Sequence, residues 1–315
     1  MSQLKATLTI HGKIECLTGL HIGGSGSGYQ IGSIENSVVR NPIDDFPFIP
    51  GSSLKGKLRA LMEWGMGKIA PNGKVYSSEH SSKPDDDEVL RIFGAPAGAE
   101  WKAGPARLIV RDALPDRKTR GMMHDLELNQ GLPKVEIKTE VNINRITAKP
   151  LSIARQIERV PVGSFFDFEL VFLIYEIAGL KVNDIDLLDK VFFALRLLED
   201  SALGGSGSRG SGQVRFHLGE PLIKTVREYQ SGSALAKTPG SDAAINSFKT
   251  LDQFSEDVIN KLKERLRRQI EVKRTPESQG SKQPEQSEKT ERPVQPDQPE
   301  QPEQRGEKEA EEQSP

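Results

Sequence analysis

The sequence predicts an α+β fold on a βαββαβ plan, ferredoxin-like or RRM-like, with insertions. Three observations carry this. Period-2 alternation marks strands at 4–16, 134–144 and 165–177, as half-buried strands require. Amphipathic runs at helical spacing lie at 54–62 and 186–199. The two kinds of element alternate along the chain, as they do in mixed layered folds.

In the first strand, Leu4, Ala6, Leu8, Ile10, Gly12, Ile14 and Cys16 alternate with Lys5, Thr7, Thr9, His11, Lys13 and Glu15, which predicts one buried face. Cys16 falls on that face as a core residue. As the single cysteine it excludes an intrachain disulfide and a zinc cluster. A glycine-rich turn with His21 follows, then an extended stretch carrying Glu35. Pro50 stops that stretch, and Ser52 and Ser53 are expected to cap a helix that turns Leu54, Leu58, Leu61 and Met62 inward. Residues 67–104 are loop-rich and read as an insertion. Within it Asp85, Asp86, Asp87 and Glu88 suit the positive end of a short helix.

Residues 106–112 predict a strand, and 134–144 another, with Val135, Ile137, Thr139, Val141 and Ile143 on one face. The run 165–177 is a strand through Phe166, Phe168, Leu170, Phe172 and Ile174. The helix at 186–199 is set by Leu187, Leu188, Val191, Leu195 and Leu198, and 213–218 closes the set with Val214, Phe216 and Leu218. A last amphipathic helix around 255–272, through Leu251, Phe254, Val258, Leu262, Leu266 and Ile270, either packs on the domain or docks a partner.

From Thr275 the only apolar side chains besides proline are Val294 and Ala310, too few to offset the entropy of ordering, so 275–315 is expected to be disordered. That tail holds 11 acidic and 5 basic residues of the chain's 45 and 43, which leaves 34 and 38 over 1–274, a net of +4. A mildly basic folded part is compatible with a nucleic-acid partner. The N-terminal residues form no apolar signal core, and no run of about 18 apolar residues exists. A cytoplasmic protein without a membrane partner is the expectation.

Two segments suit anions. Gly51, Ser52 and Ser53 at a helix start, followed by Lys55, Lys57 and Arg59, offer free N–H groups, hydroxyls and cations. The block GGSGSRGSG at 204–212 carries Arg209 between a helix and a strand. Its bland reading is a flexible linker; its short length inside one sheet favours close approach of a phosphate backbone. His21, taken alone, is more often a structural histidine, and His11, His80, His124 and His217 show no metal-ligand spacing. Glu35 is the sharpest catalytic candidate. A lone carboxylate is usually solvated, but beside an RNA backbone it would orient a 2′-hydroxyl or hold a divalent cation. Residues 133–163 interleave Lys134, Lys138, Arg145, Lys149, Arg155 and Arg159 with isoleucines and valines. They form either a solvated hairpin or a projecting one, whose apolar tip wedges between bases while its cations track phosphates. The aromatic signature of base-stacking sheets is absent.

The motifs TGLHIGG, IGSIENSVVRNP, PFIPGSSLKGKLR, INRITA, ARQIER and LGGSGSRGSGQV, in order over about 5–218, resemble the RAMP-superfamily backbone subunits of type III-A CRISPR interference (Csm) complexes. The resemblance implies a domain over 1–224, with an insertion at about 67–104 and a thumb hairpin at about 133–163. A helical extension over 225–274 and the tail at 275–315 lie beyond it. It implies several copies of the chain in a filament on a CRISPR RNA, together with other subunits of the effector complex. Each copy would grip the guide through His21, Gly51, Ser52, Ser53, Lys55, Arg59, Arg155, Gly205, Gly207, Ser208 and Arg209, while base pairing selects the target. The family also cuts complementary target RNA beside each thumb, with a divalent metal (magnesium or manganese) and one aspartate. Glu35 stands at that position, which moves the carboxylate outward by roughly an ångström, and a misplacement of that size can cost about 10²-fold in rate. The chain is therefore expected to be a metal-dependent endoribonuclease acting through Glu35. The alternative is a non-cleaving guide-RNA scaffold, and a third, weaker reading is a guide-processing nuclease using His21. Asp112, Glu136, Glu140 and Glu158 are expected to be structural or secondary.

Overall fold

β1 (Gln3–Cys16) is the spine of the sheet. In the computed structural model, which describes residues 2–24, 37–98, 101–131, 133–151, 154–232, 238 and 243–271, it pairs antiparallel along its whole length with β6 (Phe165–Glu176), from Gln3↔Glu176 to Glu15↔Phe165. On its other edge it pairs with β7 (Val214–Leu218), and nearer its start with β8 (Leu222–Thr225). β2 (Leu108–Val110) extends the sheet beyond β6, and β9 (Lys249–Thr250) extends it beyond β7. The resulting order is β2-β6-β1-β7-β9, with β3 (Leu114–Pro115) also on β6. A separate two-stranded hairpin joins β4 (Glu136–Glu140) to β5 (Arg155–Arg159). The architecture is mixed α and β, with antiparallel pairing between all these strands.

α1 (Gly51–Gly65) and α4 (Leu188–Glu199) pack on each other. Their Leu54, Leu58, Met62, Leu188, Val191, Leu195 and Leu198 join the β1 alternation and the β6 phenylalanines in one buried core. The expected polar face of β1 is buried as well. Thr7, Thr9, His11 and Lys13 are all covered, because each finds a partner or packing there. Lys13 Nζ donates to Asp116 and Asp167 at 2.9 Å each. The His11 ring bonds the Glu220 carbonyl oxygen, and Thr7 reaches the Tyr229 hydroxyl.

Four expectations are corrected. Pro50, rather than Ser52 or Ser53, is the N-cap residue of α1, and no side chain of that residue caps it. The helix α3 (Arg117–Gln130) was not expected. Its signals are Asp116, which accepts the Thr119 N–H at 2.8 Å, and Gly131, which ends it in the left-handed region. Gly121 and a largely polar composition hide it. The strand expected over 134–144 is regular only over Glu136–Glu140; Val135 before it is buried, while Ile137, Val141 and Ile143 are exposed, as either hairpin reading requires. In the last helix, α6 (Glu256–Glu271), which follows the short α5 (Val226–Ser231), Val258 is at the surface while Ile259, Leu262 and Leu266 are buried.

The question left open for that helix is settled by packing. α6 lies on α4, with Phe254 stacked on Phe192 at 5.6 Å and Lys263 paired to Asp189 at 3.0 Å. The insertion also contributes core. α2 (Glu88–Phe93) starts at Asp87, whose carboxylate accepts from Val89 and Leu90 N–H, and it buries Val89, Leu90, Ile92 and Phe93. Arg91 of α2 shares the fully buried Asp184 with Arg107, which ties the insertion to the sheet. Residues 1–274 form one unit and 275–315 a second; the disorder expected of that tail lies outside the described residues. Among the described residues no helix is long and apolar enough to cross a membrane.

Candidate nucleic-acid interface

Beyond Cys16 the chain leaves the sheet and meets the glycine loop and the hairpin base. Leu20 and Val160 exchange backbone hydrogen bonds at 3.1 and 2.8 Å. The Gly212 N–H donates to Gly19 O at 3.0 Å, and the Gly205 N–H to His21 O at 2.8 Å. The loop also closes on itself, with Leu203 N–H donating to Gly212 O. Residues 204–212 are thus a loop fixed by backbone bonds, not a linker. Gly204, at φ 75°, is required: a Cβ there would collide with the His21 carbonyl. At Gly19 a Cβ would press on the Glu136 carboxylate and the Arg159 guanidinium, which would have to shift to admit it.

His21 Nδ1 lies 2.8 Å from the Glu158 carbonyl oxygen. A carbonyl only accepts, so Nδ1 carries the proton and Nε2 of the neutral ring is left as an acceptor. That nitrogen suits a ribose hydroxyl better than a phosphate. The Glu158 carboxylate is buried and accepts from Val38 N–H at 3.0 Å and from Arg40 at 3.2 Å. Gly24 N–H and Ser37 O are 3.2 Å apart, and Val39 N–H donates to Ile22 O at 2.8 Å. Glu35, with the rest of 25–36, lies outside the described residues.

The glycine loop carries its cation outward. A 3-10 turn over Gly207–Arg209 follows Ser206, itself at φ 58°. Ser208 and Arg209 are exposed. Arg209 Nη2 donates to Ser206 Oγ at 2.9 Å, and its Nε lies 3.2 Å from Glu140 on β4. Lys138 Nζ reaches both Glu140, at 3.0 Å, and the Arg209 carbonyl, at 3.0 Å. The Lys138 ammonium, and secondarily Arg209, hold the Glu140 carboxyl below the ordinary range. Arg159 pairs with Glu136 at 2.5 Å and touches Ser211 Oγ at 3.4 Å. Arg155 is exposed opposite Glu140 in the hairpin register.

The start of α1 is a separate patch, and its residues differ in role. Gly51 N–H donates to Asp112 Oδ1 at 2.7 Å, so a carboxylate already satisfies that donor. Arg59 faces inward: Nε donates to Glu63 at 2.7 Å, Nη1 to Gly94 O at 3.0 Å and Nη2 to Tyr76 O at 2.7 Å. Lys55, by contrast, has no partner among the described residues; burial first, then the charge of Arg59, pulls its pKa down. Ser52 is exposed and Ser53 half-buried. Among the described residues no hydrogen bond or ion pair joins this patch directly to His21 or to the glycine loop.

All four secondary carboxylates, Asp112, Glu136, Glu140 and Glu158, hold named donors or cations. Among the described residues no three or more histidine, cysteine, aspartate or glutamate side chains gather as a metal cage. The sequence reading missed the Lys138–Glu140–Arg209 cluster and the roles of Gly19 and Ser211. Lys138 and Glu140, two apart on a strand, were open to recognition as one face. Nothing local marks Gly19 or Ser211, whose partners are distant in sequence.

A family model for the RAMP superfamily matches residues 13–215. The CRISPR system Cms endoribonuclease Csm3 of Methanothermobacter thermautotrophicus is 37% identical over 253 residues, covering 76% of this chain and 96% of that protein. Its namesake from Streptococcus thermophilus is 41% identical over 233 residues, covering 71% and 96%. The crystal structure of Methanopyrus kandleri Csm3 aligns with a TM-score of 0.55 at 20% identity, over 84% of this chain and 99% of that one, which shows a common fold. A model match over most of the folded part, with relatives at this identity along nearly their full length, places the chain in the RAMP superfamily, among the Csm3 proteins.

Proposed function

We propose that this chain is a guide-RNA-binding backbone subunit of a type III CRISPR effector complex, and that it cleaves complementary target RNA at regular intervals. The relatives are named CRISPR endoribonucleases, which favours the cleaving reading over the non-cleaving scaffold. The structural observation that carries the reading is the convergence of His21, the Gly205–Arg209 loop and the hairpin base at one end of β1. There a glycine loop held in place by its own backbone bonds brings an imidazole and an outward arginine to one region. Such groups position a sugar–phosphate backbone and carry no base readout, which leaves target choice to pairing with the guide.

In this reading β2-β6-β1-β7 with α1 and α4 is a ferredoxin-like core, and the β4–β5 hairpin is the thumb. Its exposed Ile137, Val141, Ile143 and Ile146, the last 95% exposed, supply the apolar wedge. Ser52, Ser53 and Lys55, with the Gly51 turn, form a second contact on the guide, while Gly207, Ser208 and Arg155 belong to the first, at the glycine loop and the hairpin. Arg59 contributes from inside, by tying α1 to the insertion. Further copies of the chain along the guide, and other subunits at the ends, complete the assembly in the cytoplasm. Divalent-metal dependence rests on the resemblance. The described residues make no cage, so magnesium or manganese would depend on Glu35 and on oxygens of the RNA.

The test is labelled complementary RNA incubated with the assembled complex, with and without divalent metal, for the natural chain and Glu35→Ala. Evenly spaced cuts that need both the metal and Glu35 support the reading. Binding of the target without cuts in either metal returns the chain to the scaffold role.

A further inference from the structure

Lys138, Glu140 and Arg209 form a site for an anion that already holds one. Lys138 and Glu140 stand on one face of β4, and the carboxylate takes one cation per oxygen: Lys138 at 3.0 Å on Oε1 and Arg209 at 3.2 Å on Oε2. Arg209 is further oriented by Ser206 Oγ at 2.9 Å, yet its side chain is 58% exposed. Its guanidinium is therefore aimed but not enclosed. Two cations and one carboxylate leave the cluster net positive, on the loop that faces the proposed guide.

We infer that Glu140 is an internal stand-in for an RNA phosphate, which neutralises Arg209 and Lys138 in the free protein and gives way when guide RNA engages them. The inference rests on the RNA-binding reading of the glycine loop. An ion pair this exposed is weak and screened by salt, so a phosphate can displace it. A buried pair would not yield so readily. With its carboxyl held below the usual range by Lys138, Glu140 is charged at neutral pH and competes in full. The consequence is specificity without base readout. A single phosphate of a passing RNA must displace a resident carboxylate. A guide that also engages His21 and the start of α1 gains contacts that outweigh it.

The experiment uses the full chain and a labelled single-stranded RNA of arbitrary sequence, titrated over a salt series. Glu140→Gln is expected to bind about two- to fivefold tighter at low salt, the scale of an exposed ion pair. Its log–log salt slope should steepen by about 0.7 for each cation released. Glu140→Ala should move both quantities in the same direction, and Arg209→Gln should weaken binding and remove most of the gain in the double variant. If Arg209→Gln weakens binding while neither Glu140 variant tightens it, the stand-in role is overturned and the loop's RNA role survives. If Arg209→Gln changes nothing, the RNA-binding reading of the loop fails, and the inference with it.

Discussion

Lys55 and Arg59 sit one helical turn apart and look alike in the sequence, yet the fold gives them opposite tasks. Arg59 commits its donors to Glu63, Gly94 O and Tyr76 O, binding α1 to the insertion. Arg59→Ala is expected to cost about 1–3 kcal/mol in urea denaturation, the scale of buried acceptors left unpaired. Lys55, half-buried with no partner among the described residues, should act the other way. Lys55→Ala should leave stability nearly unchanged, weaken guide binding, and flatten the salt slope by about 0.7. Lys13 offers a pH test. Burial lowers its pKa, but the bonds to Asp116 and Asp167 outweigh burial and raise it above the ordinary 10.5. A raised ammonium stabilises fully below the unfolded value and loses that contribution as pH rises through the folded one. Denaturation followed above pH 10.5 should therefore show a loss of stability that is absent in Lys13→Met, itself less stable at neutral pH. Anion chemistry at helix starts and glycine loops was legible residue by residue. Which cation faces outward was not, because Tyr76 and Gly94 are placed by the insertion.

At the scale of elements, periodicity located β1, β6, β7, α1 and α4 well, since each buries a face in one core. It overran β4, where the alternation extends over 134–144 but the strand only over Glu136–Glu140, with Ile137 exposed and Val135 buried. An alternating pattern reports two unlike faces and cannot say which one is inward; here Glu136, Lys138 and Glu140 take the side that meets Arg159 and Arg209. It missed α3, whose caps were present but whose surface is mostly polar. The outward apolar face supports a prediction. Ile143→Ser with Ile146→Ser removes exposed side chains only, so stability should stay within about 0.5 kcal/mol. Guide binding should persist while target cutting falls. Unchanged cutting would deny the hairpin a part in the reaction.

For the whole molecule, the mildly basic charge of 1–274 and the separation of its cationic patches argue for an extended anionic partner instead of a small ligand. Guide affinity should fall steeply with salt and vary little with guide sequence. Removing 275–315, which has almost no apolar side chains to bury, should leave the thermal midpoint and guide binding unchanged. Motif order made the family legible. The proposed catalytic step depends on Glu35, in a segment outside the described residues. The measurement that bears on it most directly is cleavage of labelled complementary RNA by assembled complexes in magnesium or manganese, comparing the natural chain with Glu35→Ala and Glu35→Asp. The account predicts evenly spaced cuts with the natural chain, none with alanine despite undiminished target binding, and cuts at least as fast with aspartate. Target binding without cuts by the natural chain, and cuts only with aspartate, would contradict it.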